Sequence, residues 1–239
     1  GNLTISGGEM TVTALEHAIE LKKERVNISG GFLVASSTST DKDSTYCALK
    51  LPGTTSSYYN VASSLSQAAS TSGSKTALEK LDNSKLSGYD YIQIGKYIEI
   101  AGKTVKSGYS IKNDGTVVSG NAGAGSAYYV SEYAGNTLTL NGFNYTTGSS
   151  IRGIEAFSDV TIKVTGNSTV TTAGYHGIFA TGNVTFTGSN ALTVNSGSYG
   201  LKAIGNVTVS GVALTLDSSS ATALSTDGNV TVNSGFLKA

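Results

Sequence analysis

Short alternations of apolar and polar residues, about three residues long, recur near both ends of the chain and set its organisation. Gly182-Asn183-Val184-Thr185-Phe186, Gly205-Asn206-Val207-Thr208-Val209 and Gly228-Asn229-Val230-Thr231-Val232 are near copies. Ser158-Asp159-Val160-Thr161-Ile162 is a looser fourth. The valines fall at positions 160, 184, 207 and 230 and are almost evenly spaced. Asn2-Leu3-Thr4-Ile5-Ser6-Gly7-Gly8 returns one such step later as Arg25-Val26-Asn27-Ile28-Ser29-Gly30-Gly31. Successive side chains of a strand point to opposite faces, so each unit turns Val inward and Thr outward. A second strand follows a Gly- or Ser-containing turn, as in Leu192-Thr193-Val194, Leu214-Thr215-Leu216 and Met10-Thr11-Val12. A third opens on glycine in Gly153-Ile154-Glu155-Ala156, Gly177-Ile178-Phe179-Ala180 and Gly200-Leu201-Lys202-Ala203.

Three strands and three turns in about 23 residues make one coil of a right-handed parallel β-helix. A three-residue strand cannot sustain a hairpin core. Stacked coil on coil, it finds a neighbour above and below and buries a column of Val, Leu and Ile. A sandwich is disfavoured, because its strands are longer and rarely keep such a period. The predicted fold is therefore all-β, and its frequent glycines are expected at turns of positive φ. Coils are predicted over 1–51 and 133–239, with a non-repetitive insert or linker over 52–132. A polar insertion at 36–43 interrupts the second coil. Within the insert, 76–81 suits one or two helical turns, and 89–101 alternates as a strand. Asn113-Asp114-Gly115 signals a turn between two strands, and 121–126 reads as a flexible Gly-Ala loop.

Composition narrows the function. Charged residues are only 13% of 239, and 16 basic side chains cancel 16 acidic ones, which excludes a coiled coil and a nucleic-acid footprint. No run of 18 apolar residues exists, so membrane insertion is not expected. One Cys excludes an internal disulfide framework, and two His and one Met leave little for soft metals. No cofactor and no metal site are expected. The Thr, Ser, Asn and Tyr bias suits an extracellular or bacterial cell-surface protein. Gly1-Asn2-Leu3 already lies in a strand pattern, as in a processed or excerpted chain. The first and last coils carry the same unit, so head-to-tail self-association is the rival expectation.

Tyr133-Ala134-Gly135-Asn136-Thr137-Leu138-Thr139-Leu140-Asn141-Gly142, followed by Gly153-Ile154-Glu155-Ala156, Asp159-Val160-Thr161-Ile162 and Gly182-Asn183-Val184-Thr185, resembles the β-helix modules of secreted proteins from anaerobic gut and soil bacteria. Those modules are often labelled carbohydrate-binding, and some bind acidic polysaccharides. The resemblance covers roughly 133–239 and 1–51. It implies the end of one module and the start of the next, which would open at a segment like Tyr97-Ile98-Glu99-Ile100-Ala101-Gly102-Lys103. It also implies a polysaccharide or cell-surface glycan as partner.

Candidate chemistry is sparse. Glycoside hydrolysis needs two carboxylates at a fixed separation, and a lyase needs a calcium cage with a base. The acids of the coils, Glu9, Glu16, Glu20, Glu155, Asp159, Asp217 and Asp227, are scattered, and the chain is read as no enzyme. The coil register does align Arg152, His176, Tyr199, Thr222 and His17 just before the third strand. The next outward column is Glu155, Phe179, Lys202, Ser225 and Glu20. Arg152, His176, Phe179, Tyr199 and Lys202 form the candidate glycan stripe, gripping sugar by ring stacking and hydrogen bonds. Tyr128 and Tyr129 are a second candidate. The Asn183, Asn206 and Asn229 column, with Asp159, is expected to be a structural ladder. The Thr161, Thr185, Thr208 and Thr231 column is expected to be a flat scaffold face. The predicted function is a non-catalytic adhesion or polysaccharide-binding module. The alternatives are a structural unit of a surface array or filament assembled end to end, and a polysaccharide lyase or hydrolase.

Overall fold

The repeated step builds a parallel β-solenoid of about ten turns, with about 23 residues per turn. The structure, a computed structural model, describes residues 1–39, 46–53, 55–132 and 135–239. Residues 40–43 of the expected 36–43 insertion, and Tyr133 and Ala134 of the resemblance, lie outside the described residues. The chain forms two compact units, Gly1–Lys96 and Tyr97–Ala239.

In the second unit the coil register follows the repeat, with shifts past Leu140 and past Val209. Val160, Val184, Val207 and Val230 are successive parallel partners. The first face stacks Gly135–Asn141, Val160–Gly166 and Val184–Gly188 on the opening half of Val207–Ser218. The second face stacks Asn144–Thr147, Ser168–Thr172 and Ala191–Ser196 on the closing half of that long strand. The third stacks Ile154–Ala156, Ile178–Ala180, Leu201–Ala203 and Leu224–Thr226. Leu138, Ile162, Phe186 and Val209 of the first face are wholly buried against Ile154, Ile178 and Leu201 of the third. Each such side chain contributes about 1.5–3 kcal/mol by leaving water.

Residues 97–132 are strands too, but antiparallel ones. Tyr97–Ile100 pairs with Ile154–Ala156 on one side and Lys103–Lys106 on the other. Ser126–Glu132 lies between Gly135–Asn141 and Tyr109–Lys112. The Asn113-Asp114-Gly115 turn joins Tyr109–Lys112 to Val117–Ser119, as its turn chemistry predicts. The first coil's edge is thereby paired on two of its three faces, which removes a template for unwanted strand addition. The loop at 121–126 is pinned rather than loose. Ser110 Oγ accepts from Ala122 N at 3.0 Å, and Ser126 Oγ donates to Gly123 O at 2.6 Å.

The first unit begins with the same plan. Leu3–Ile5 pairs with Val26–Ile28, Glu9–Ala14 with Phe32–Ser37, and Ile19–Glu20 with Leu49–Lys50, all parallel. Parallel pairing continues to Tyr59–Val61, but the coil has grown: Leu3 meets Val26, whereas Val26 meets Tyr59. Ser66–Ser70 does not then pair with Phe32–Ser37. Tyr91–Gly95 lies between them, antiparallel to both. The alternation over 89–101 is therefore two strands, one in each unit. The helical turns expected at 76–81 do not form. Ala77 takes φ 94°, and Glu79–Lys80 pairs with Ala68 and Ala69, so strand pairing overrides local helix propensity. The helical turns fall instead at Thr55–Tyr58 and at Asn83–Gly88, where Asp82 accepts from Ser84 N at 3.0 Å.

The glycines divide into two kinds. Gly188, Gly211 and Gly235 have positive φ, as turns require. Gly153, Gly177 and Gly200 do not, and are needed for room: a Cβ on Gly177 would collide with Val194 Cγ1 and sit 2.7 Å from Gly200 O. The asparagine ladder forms as expected. Asp159 Oδ1 accepts from Asn183 N at 2.7 Å, Asn183 Oδ1 from Asn206 N at 2.8 Å, and Asn206 Oδ1 from Asn229 N at 2.8 Å. The threonines also stack in register from Thr137 to Thr231.

Candidate functional site

The glycine corner of the second unit builds the site. Gly153 N donates to His176 O at 3.0 Å, and Gly177 N donates to Tyr199 O at 2.8 Å. Each corner residue is thus tied to the neighbouring coil, and Arg152, His176 and Tyr199 stack one coil apart. Two residues past each glycine the third strand turns a side chain outward, which places Glu155, Phe179, Lys202 and Ser225 in one register row. Neighbouring strands lie about 4.8 Å apart, so these side chains meet.

All five predicted stripe residues come together. Arg152 Nη1 pairs with Glu155 Oε1. The guanidinium carbon lies 4.3 Å from the centroid of the Phe179 ring and 5.2 Å from that of Tyr175. His176 stacks on Tyr175 at 4.7 Å and meets Tyr199 edge-on at 5.0 Å. Lys202 Nζ is 5.2 Å from the Tyr199 ring centroid. The result is a continuous run of cation, ring, imidazole, ring and cation across three coils. Such contacts are worth about 0.5–2 kcal/mol each.

The electrostatics follow from this packing. Burial, and then the charges of Arg152 and Lys202, push the His176 imidazole down to about 4. Near neutral pH it is an uncharged ring between two cations. Its Nδ1 is buried without a hydrogen-bond partner. Among the described residues no carboxylate pairs with Lys202.

Two residues of this neighbourhood escape the sequence reading. Tyr175, 37% exposed, is the outermost ring, and it lies in the turn before the corner, where no column repeats it. Glu99, on the antiparallel strand, sits directly across from Glu155 and accepts from Thr104 Oγ1 at 2.5 Å. Only the polarity of that strand brings the two carboxylates opposite one another.

The remaining candidates lie elsewhere. His17 and Glu20 belong to the first unit. There His17 Nδ1 accepts from Cys47 N at 3.3 Å, and Lys50 Nζ lies 3.0 Å from His17 Nε2 and 3.7 Å from Glu20. Burial raises the Cys47 thiol above its usual range. Thr222 and Ser225 follow Tyr199 and Lys202 on the next coil and add no ring. Tyr129 is 1% exposed and packs in the core, and its hydroxyl donates to Asn136 Oδ1 at 3.2 Å. Strand alternation puts the two neighbouring tyrosines on opposite faces, so they offer no paired surface; Tyr128 alone points outward, half-buried. Among the described residues no group of three or more His, Cys, Asp or Glu is placed to hold a metal ion. Among those residues, too, no helix is long and apolar enough to cross a membrane.

No protein-family model, curated protein or solved structure matches this chain.

Proposed function

We propose that the second unit is a non-catalytic glycan-binding module whose platform is the row Arg152, Tyr175, His176, Phe179, Tyr199 and Lys202. One observation carries this reading: three aromatic rings and two cations, drawn from three successive coils, pack into one partly exposed strip on a rigid sheet. Sugars are held by ring faces supplemented by a few fixed hydrogen-bond donors. A coil spacing of about 4.8 Å is close to the length of one hexose, so a chain laid along the solenoid axis meets a new ring or cation at each residue. The rings are already braced by one another, so binding orders little and costs little entropy. An extracellular or cell-surface setting suits this role.

A glycan array on the full chain tests the reading. Retention of at least one polysaccharide is expected. Tyr199→Ala and Tyr175→Ala should each weaken it by about tenfold, the loss of one stacking contact, while the melting temperature stays within a few degrees. Equal retention by both variants would remove this strip as the site.

A further inference from the structure

The first unit contains a strand-shaped slot filled by a late segment of the chain. Phe32–Ser37 and Ser66–Ser70 run in the same direction, each antiparallel to the strand between them. They follow one another around the solenoid, as Val26–Ile28 and Tyr59–Val61 do. Yet they do not meet, and Tyr91–Gly95 separates them. All five of its residues have a backbone partner on both sides. Ile92 and Ile94 are wholly buried in a core shared with Leu33, Ala35 and Ala69.

We propose that this slot also accepts Tyr91–Gly95 from a second copy of the chain, so that two copies exchange the strand. An empty slot would expose two unpaired edges and the core beneath them, which a strand from any source relieves. The slot selects its occupant. A Cβ at the Gly95 position would lie 2.5 Å from Phe32 Cδ2 and 3.1 Å from Gly31 O, so the strand must end in glycine. Its two inward positions must be apolar, since they enter that core. Tyr91-Ile92-Gln93-Ile94-Gly95 meets both conditions, whereas the similar Tyr97-Ile98-Glu99-Ile100-Ala101 carries alanine at the last place. The strand ends one residue before the first unit does, so exchange moves one short segment together with the folded second unit.

The test uses two single variants of the full chain, Ala35→Cys and Ile92→Cys. These positions are register partners, and the Cα atoms of directly opposed antiparallel residues stand about 4.5–5.5 Å apart, within the Cα span of a disulfide. The two variants are mixed, held just below the melting midpoint, cooled and oxidised. An Ala35→Cys to Ile92→Cys heterodimer on a non-reducing gel is the expected result, and exclusively monomeric product overturns the proposal. If either variant fails to fold, a biotinylated peptide of residues 88–96 takes the place of the second copy, added to the unmodified chain through the same cycle. Capture of the chain by this peptide, and at least about tenfold less capture by the same peptide with Ile94→Asp, supports exchange. No capture, or equal capture by both peptides, overturns it.

Discussion

The coils from Val160 to Ser218 and the enlarged second coil of the first unit close by different means. In the former every residue that ends a rung also starts the next. Asn183 donates its backbone N–H to Asp159 and accepts through its side chain from Asn206. In the latter Asn2 Oδ1 accepts from Arg25 N at 3.0 Å, but Arg25 has no side-chain oxygen to pass the contact on. The ladder stops after one rung, the next coil lengthens, and a strand of opposite direction fills the gap. Repetition therefore satisfies backbone polar groups without long-range insertions. Where it lapses, the chain must bring a strand from far along its length, which folds more slowly.

The comparison can be broken most severely in the repeated coils. Val184→Asp buries an unpaired charge at a wholly enclosed position and should cost about 3–5 kcal/mol, read as loss of the cooperative circular-dichroism melt. Full stability of that variant would mean the valine column does not face the core. Gly177→Val comes next. Its side chain meets Val194 and the Gly200 carbonyl, for an expected loss of about 3 kcal/mol by denaturant titration. Gly8→Val offers the contrast, since nothing lies near its Cβ and only its φ of 72° is strained. Asn206→Ala removes one rung near the surface and should cost about 1 kcal/mol, more than Asn2→Ala, whose rung has no successor.

The last expected effect is one of pH. The folded-state value of His176, about 4, lies below its ordinary 6.5. Between these values the unfolded chain takes up a proton that the folded chain refuses, so this residue's contribution is complete above pH 6.5 and fades as pH falls towards 4. A melting series across that window should decline for the natural chain and decline less for His176→Gln. Parallel curves would mean that the ring is not held neutral by its surroundings.

The valine, asparagine and threonine columns are legible in the sequence because parallel stacking maps one period directly onto one contact. Arg152, His176, Phe179, Tyr199 and Lys202 can be placed for the same reason. Strand polarity cannot. An alternating segment looks alike whether its neighbour runs with it or against it, so residues 97–132 read as an irregular insert and nothing in them sets Glu99 opposite Glu155. Tyr175 escapes because turn residues outside the columns have no copy to align with. The pairing of Tyr128 with Tyr129 fails through the same alternation that reveals the coils, since adjacent residues cannot share a face.

The asparagine ladder makes length a quantity that changes in whole steps. Each rung offers the same acceptor below and the same donor above, so residues 182–204 can be removed as a block. Thr181 would then run into Gly205, and Asp159 would receive the backbone N–H of Asn206 in place of that of Asn183. A chain shortened by that block should fold, whereas one shortened by slightly less than a block should not, because every later column would fall out of phase with the one beneath it. The solenoid is in this sense modular at the scale of a single turn, and any natural lengthening or shortening of its regular part is expected to occur in steps of one coil.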